Sequence, residues 1–178
     1  MITVNRTKRW ELPWIFLLYR NAFPRYERKP FSRITSMAKA GRADLWTIRE
    51  DGDFAGFAAT VNAPELVLLD YLAVSKKYRG WGIGTAAMRT LMEHYRDRGF
   101  FVEIESTFED AENLQERQKR KRFYVNCGMK PMGTEADLFG VRMELLGVRC
   151  HLDFESYRSF YRDHYSPWAA EHVKEVRP

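Results

Sequence analysis

The sequence predicts an α/β domain built on a mixed sheet with helices on both faces. Three observations carry this. Asp51-Gly52 separates two short apolar runs, residues 45–49 and 54–61, and reads as a hairpin because both central turn residues need positive φ. Residues 65–74 are largely apolar, continuously so from Leu66 to Leu69, as in a central strand covered on both faces. That run passes through a glycine-rich loop into a helical stripe (Ala87, Met88, Leu91, Met92, Tyr95) and then into an alternating segment, residues 100–105. Residues 65–105 should therefore form a right-handed crossover between parallel strands.

The remaining elements follow in order. Residues 1–4 suit a short first strand. Residues 12–22 form a helix, with Pro13 in its tolerated first turn. A second helix covers residues 31–40 and is stopped by Gly41. The crossover helix spans residues 85–98, with Gly99 as its stop. Another helix runs over about 111–126, ended by Gly128, and a strand over 136–146. In the tail, residues 154–165 form a helix with Asp153 as N-cap. Its aromatic face (Phe154, Tyr157, Phe160, Tyr161, Tyr165) must find cover on the chain's own core, on another subunit or over a substrate cleft.

Of the 178 residues, 45% are hydrophobic and 15% aromatic, which excludes disorder and supports a real core. No apolar run approaches the ~18 residues of a membrane span. Residues 12–19 are apolar and follow Arg6, Lys8 and Arg9, as in a signal peptide. However, Pro13 and Arg20 interrupt the pattern and no Ala-x-Ala-like site appears. Cys127 and Cys150 show no metal spacing and are too few for a disulfide framework. A cytoplasmic protein is expected, with no metal. The net charge of +5 suits a small anionic ligand as readily as nucleic acid.

The most informative stretch is Leu72-Ala73-Val74, then Ser75-Lys76-Lys77-Tyr78, then Arg79-Gly80-Trp81-Gly82-Ile83-Gly84-Thr85. A buried strand runs into a basic loop that opens a helix. Glycines let backbone N–H groups converge on an anion, and the helix N-terminus adds its own donors and dipole. This is a site for a pyrophosphate. A dinucleotide fingerprint starting at Gly80 would need glycine where Thr85 stands, and a Walker loop would need Gly-Lys-Ser/Thr.

The spacing Arg79-x-x-Gly82-x-Gly84, with Leu-Ala-Val before it, resembles the acetyl-CoA loop of the GNAT superfamily of N-acetyltransferases. A second stretch, Phe123-Tyr124-Val125-Asn126-Cys127-Gly128-Met129, is similar to that family's next motif. The resemblance implies a GNAT fold with a mixed, mostly antiparallel central sheet, a core over residues 1–148 and a helical extension over 149–178. It implies acetyl-CoA as co-substrate, lying between the loop strand and the next strand. The pantetheine arm would pair with backbone at Leu72, Ala73 and Val74, and the pyrophosphate would sit on residues 79–85. It further implies Tyr124 as the acid that protonates the leaving thiol. Family members often carry an asparagine seven residues before this tyrosine. Here that position is Arg117, and Asn113, eleven residues before, is the candidate for the pantetheine contact.

An attacking amine must lose a proton, and in the resembled family a carboxylate on the strand after the loop helix often takes it. Glu103 and Glu105 project from one face of that strand, with Glu103 favoured, and Asp70 is a third candidate. The basic run Arg117, Lys119, Arg120, Lys121, Arg122 spreads around its helix, which favours solvated charge over a nucleic-acid stripe. Leu114, Arg117, Lys121 and Tyr124 share one face. The implied activity is direct acetyl transfer to a small-molecule or peptide amine in a ternary complex, without nucleic acid or membrane, in a chain that can form a homodimer. The alternatives are a non-catalytic acyl-CoA-sensing module of the same fold and nucleic-acid binding through residues 117–122.

Overall fold

A computed structural model of the chain describes residues 1–176. Eight strands form one mixed, mostly antiparallel sheet: β1 (Ile2–Arg6), β2 (Ala43–Glu50), β3 (Asp53–Asn62), β4 (Leu66–Val74), β5 (Gly99–Glu105), β6 (Lys130–Leu138), β7 (Val141–Val148) and β8 (Val173–Glu175). Their order is β1-β2-β3-β4-β5-β7-β6-β8. The helices are α1 (Leu12–Ala22), α2 (Phe31–Lys39), α3 (Ile83–His94), α4 (Leu114–Asn126), α5 (Phe154–His164) and α6 (Pro167–Glu171). No helix among the described residues is long and apolar enough to cross a membrane. The chain divides into two compact units. One comprises Met1–Asn62 and Leu69–Arg96; the other comprises Ala63–Leu68 and the chain from Asp97 onward.

In the first unit, alternation along β4 sorts its side chains between two cores. Tyr71 and Ala73 join Leu45, Phe57 and Ala59 beneath α1 and α2, which contribute Ile15, Tyr19 and Ile34. Leu72 and Val74 point the other way, toward Ile48, Ala55, Tyr78 and the first two turns of α3 at Ile83 and Ala87. The hairpin at Asp51 and Gly52 forms as expected, with φ of 49° and 90°. Gly56 lets β3 and β4 approach, since a Cβ there would stand 2.4 Å from the Ala73 carbonyl oxygen. Buried Glu11 pairs with Arg49 and accepts the Lys8 N–H, fixing the entry to α1.

In the second unit, β5, β7, β6 and β8 are antiparallel neighbours. α5 lays its aromatic face on β5. Tyr157, Phe160, Tyr161 and Tyr165 are buried, and Phe160 meets Phe101 edge-on at 5.1 Å. The Asp153 side chain caps α5 by accepting the Ser156 N–H at 2.8 Å. Glu155, Arg158, Arg162 and Asp163 stay exposed.

Four expectations need correction. The single strand over 136–146 is instead the hairpin β6–β7, turning at Phe139 (φ 52°) and Gly140 (φ 86°). Phenylalanine is a poor left-handed residue. Here its ring stacks on His172 at 4.9 Å and its N–H donates to the His172 carbonyl, contacts from a distant segment. Gly99 does not stop α3, which ends at His94; it opens β5, where a Cβ would strike Cys150 Cβ at 2.5 Å and Leu66 Cδ2 at 2.9 Å. α4 begins at Leu114, with Asn113 at its N-cap, and not at 111. Finally, α6 and β8 extend the tail beyond α5, and β8 pairs with β6.

Each aromatic that α5 buries contributes roughly 1.5–3 kcal/mol. Ending the chain after Arg149 should therefore lower the melting temperature or leave the protein insoluble. Unchanged melting and solubility of the shortened chain would show that the tail packing stabilises nothing.

Candidate active site

The loop after β4 begins with a 3-10 turn, Lys76–Tyr78. Tyr78 is buried and its hydroxyl donates to Asp53 at 3.1 Å, so the turn is pinned from below. Arg79 Nε donates to the Val74 carbonyl at 3.2 Å, which folds the side chain back over the strand end while leaving it exposed. Gly80 and Gly82 adopt φ of 82° and 76°. A Cβ at either would meet open space, so backbone conformation, and not crowding, requires glycine there. Gly82 directly precedes α3. Ile83 is 1% exposed and its side chain belongs to the core, so only its backbone can serve a ligand. Trp81 is 66% exposed, edge-on to Tyr78 at 6.0 Å.

The amides of this segment remain open. The Ala86 N–H donates to the Gly82 carbonyl, the first bond of α3. The N–H groups of residues 80–85 have no protein acceptor among the described residues. With Lys76, Lys77 and Arg79 exposed beside them, they make a cationic cluster of donors suited to a phosphate or pyrophosphate. Asp70 lies further back in β4 and its carboxylate is held by Lys29 at 2.6 Å. Next to it, Tyr71 has its hydroxyl pushed well above the ordinary tyrosine range, first by burial and then by the Asp70 charge. It accepts the Lys29 N–H and donates to the Glu27 carbonyl.

In the second unit the two strand carboxylates share a face of β5 but are held by different helices. Glu103 is half-buried, and its Oε1 accepts the hydroxyls of Tyr157 at 2.7 Å and Tyr161 at 2.6 Å, both from α5. Glu105 is buried and both oxygens are engaged near the start of α4. Oε1 faces Arg117 at 3.5 Å, and Oε2 accepts the Asn113 amide at 3.2 Å. The Asn113 carbonyl in turn accepts Arg117 Nε at 2.8 Å. Lys121, one turn on, pairs with buried Glu144 at 2.6 Å and with Thr107 at 3.1 Å. Lys119, Arg120 and Arg122 are exposed, as expected of solvated charge.

Tyr124 closes this face. It is buried, and its hydroxyl finds no hydrogen-bond partner among the described residues. Burial pushes it up to about 12, so it holds its proton throughout the physiological range. The residues that sequence reasoning did not single out are Glu144, Tyr157 and Tyr161 in the second unit and Gly56 in the first. Glu144 carried a signal, being the lone carboxylate within the largely apolar strand Val141–Val148. The two tyrosines were read only as an apolar face.

Residues 11–129 match the model of the acetyltransferase (GNAT) family. The chain belongs to that family, whose members use acetyl-CoA, and it is an enzyme of the acyltransferase class. No curated protein matches it. Among solved structures, it is similar to a GNAT-family protein from Bacteroides thetaiotaomicron, with a TM-score of 0.74 and 16% identity, covering 91% of this chain and 98% of that one. It is also similar to the ribosomal-protein-S18-alanine N-acetyltransferase of Escherichia coli (TM-score 0.66, 16% identity, 85% and 96% covered). A third is the spermidine N-acetyltransferase of Vibrio cholerae in complex with CoA and spermine (TM-score 0.66, 11% identity, 83% and 94% covered). At such identities these structures share the fold.

The raised Tyr124 hydroxyl has a consequence for stability. Its contribution is fully present below the ordinary tyrosine value of 10.0 and is lost as pH climbs toward about 12, because the unfolded chain ionises first. Across that window the loss is roughly 1.4 kcal/mol per pH unit. Tyr124→Phe should match the parent at pH 7 and lose less stability than it between pH 10 and 12, read by urea titration at each pH. Parallel alkaline limbs would contradict a buried, protonated hydroxyl.

Proposed function

We propose that the chain transfers the acetyl group of acetyl-CoA to a primary amine by direct attack in a ternary complex. The observation that carries this reading is the row of open amides at residues 80–85, set by two left-handed glycines at the head of α3 and flanked by Arg79. In the proposal, residues 79–85 hold the pyrophosphate, Ile83 by its N–H alone, and the backbone of Leu72, Ala73 and Val74 pairs with the pantetheine arm. The amine nitrogen bonds to the thioester carbonyl carbon and the carbon–sulfur bond breaks. Tyr124 gives its proton to the departing sulfur, a role suited to a hydroxyl that stays protonated at neutral pH. The proton shed by nitrogen goes to a carboxylate, and solvent returns one to Tyr124.

Glu103 is the better candidate for that base. Both oxygens of Glu105 are committed to Arg117 and Asn113, whereas Glu103 is half-buried and accepts both phenol hydroxyls on the single oxygen Oε1. Asp70 is committed to Lys29. The Asn113 amide is already engaged by Glu105 and Arg117, so its pantetheine contact requires sharing that network. The ionic ties of Arg117 and Lys121 within the second unit speak against residues 117–122 as a nucleic-acid surface.

Acetyl-CoA should bind in the range of about 1 μM to 1 mM usual for substrates. Gly82→Asp, which adds a negative charge and a strained φ, should abolish the heat of binding in calorimetry; undiminished binding would remove the loop from the site. Separately, Tyr124→Phe should lower kcat by roughly ten- to a thousandfold with the affinity for acetyl-CoA unchanged. Full activity would reduce Tyr124 to a packing residue.

A further inference from the structure

Glu103 is an acidic residue whose side chain accepts two hydrogen bonds from outside the segment that matches the family, which ends at residue 129. Tyr157 and Tyr161 lie one helical turn apart on α5, and both hydroxyls converge on the same oxygen, Oε1. Their rings are 0% and 1% exposed and meet edge-on at 5.3 Å, while Tyr165 stacks on Tyr161 at 4.7 Å. Phe160 locks the same helix to Phe101, two residues before Glu103. A tyrosine needs no hydroxyl to fill an apolar space. Two of them turned onto one oxygen of a half-buried carboxylate make an oriented site.

We propose that Tyr157 and Tyr161 are positioning residues for Glu103, so that the C-terminal helix completes the proton-accepting side of the reaction. The inference rests on the reading of Glu103 as the base. Two donors on Oε1 fix the carboxyl plane and set its basicity, because hydrogen bonds to a carboxylate favour its charged form. Among the groups around it are these two phenols from α5, Glu105 on its own strand, which Arg117 and Asn113 engage, and uncharged Leu145 directly opposite on β7.

The test uses the full chain and the variants Tyr157→Phe, Tyr161→Phe, the double variant and Glu103→Gln. Phenylalanine keeps the ring packing, so melting temperature and acetyl-CoA affinity should stay near the parent's. With glutamate carboxyls labelled with carbon-13, the resonance missing from Glu103→Gln identifies Glu103. Its titration midpoint should rise by about one pH unit for each hydroxyl removed. The acidic limb of kcat/KM should move up by the same amount, measured with acetyl-CoA and the best acceptor from a library of polyamines, amino sugars, lysine and short peptides. In addition, kcat should fall roughly tenfold while KM for acetyl-CoA holds. A Glu103 midpoint and a rate profile unmoved in the double variant, with Glu103→Gln crippled, would overturn the positioning role and leave the base intact. Undiminished activity of Glu103→Gln would remove the base reading, and this inference with it.

Discussion

Gly80 and Gly82 take left-handed φ angles just before Ile83, whose side chain is sealed in the core, and this turn leaves a row of amides unspent at the head of α3. The constraint works from both ends. Tyr78 pins the loop's entry through Asp53, and Ile83 anchors its exit beneath the sheet. Between these anchors the backbone must reverse direction in a few residues, and only residues without a Cβ make that turn at low cost. The row of open amides is thus a by-product of how tightly its flanks are held. Its donors belong to the main chain and are oriented before any ligand arrives.

The second unit solves a different problem. Its sheet carries Glu103, Glu105, Glu135 and Glu144, and each would be costly to bury alone. Cations answer three of them: Arg117 for Glu105, Lys121 for Glu144 and Arg142 for Glu135. Although burial opposes ionisation of Glu135, the bonds from Arg142 and Ser106 outweigh it and hold the group below the usual carboxylate range. Pairs of this kind add little net stability against an apolar alternative, but they fix where α4 starts and how it rotates. Glu103 accepts the hydroxyls of Tyr157 and Tyr161 on one oxygen.

The parts legible in the sequence were those written in local chemistry. α1 spans 12–22 as its periodicity and Pro13 indicated, and the Asp51-Gly52 turn announced its own hairpin. The shared face of Arg117, Lys121 and Tyr124 was likewise readable from helical spacing. What stayed hidden depends on residues far apart in the chain. Phe139 turns left-handed against its own preference because His172 and Trp168 hold its ring. Gly99 looked like a helix stop, yet its smallness serves Cys150 and Leu66. β8 is three residues long, too short for any periodicity to show. The tyrosines of α5 were legible as apolar rings, but nothing local announced where their hydroxyls point.

The notch that Gly99 leaves for Cys150 bears on the sulfur chemistry of an enzyme whose family handles thioesters. The Cys150 thiol lies against the space a larger residue would fill, and it is oriented toward the Phe100 carbonyl. Burial pushes it above the ordinary cysteine range. Thioester exchange requires a thiolate, so a thiol kept protonated at neutral pH is a poor acceptor for an acyl group. A small residue at the start of β5 thereby leaves room for a thiol that stays protonated and a weak nucleophile at neutral pH.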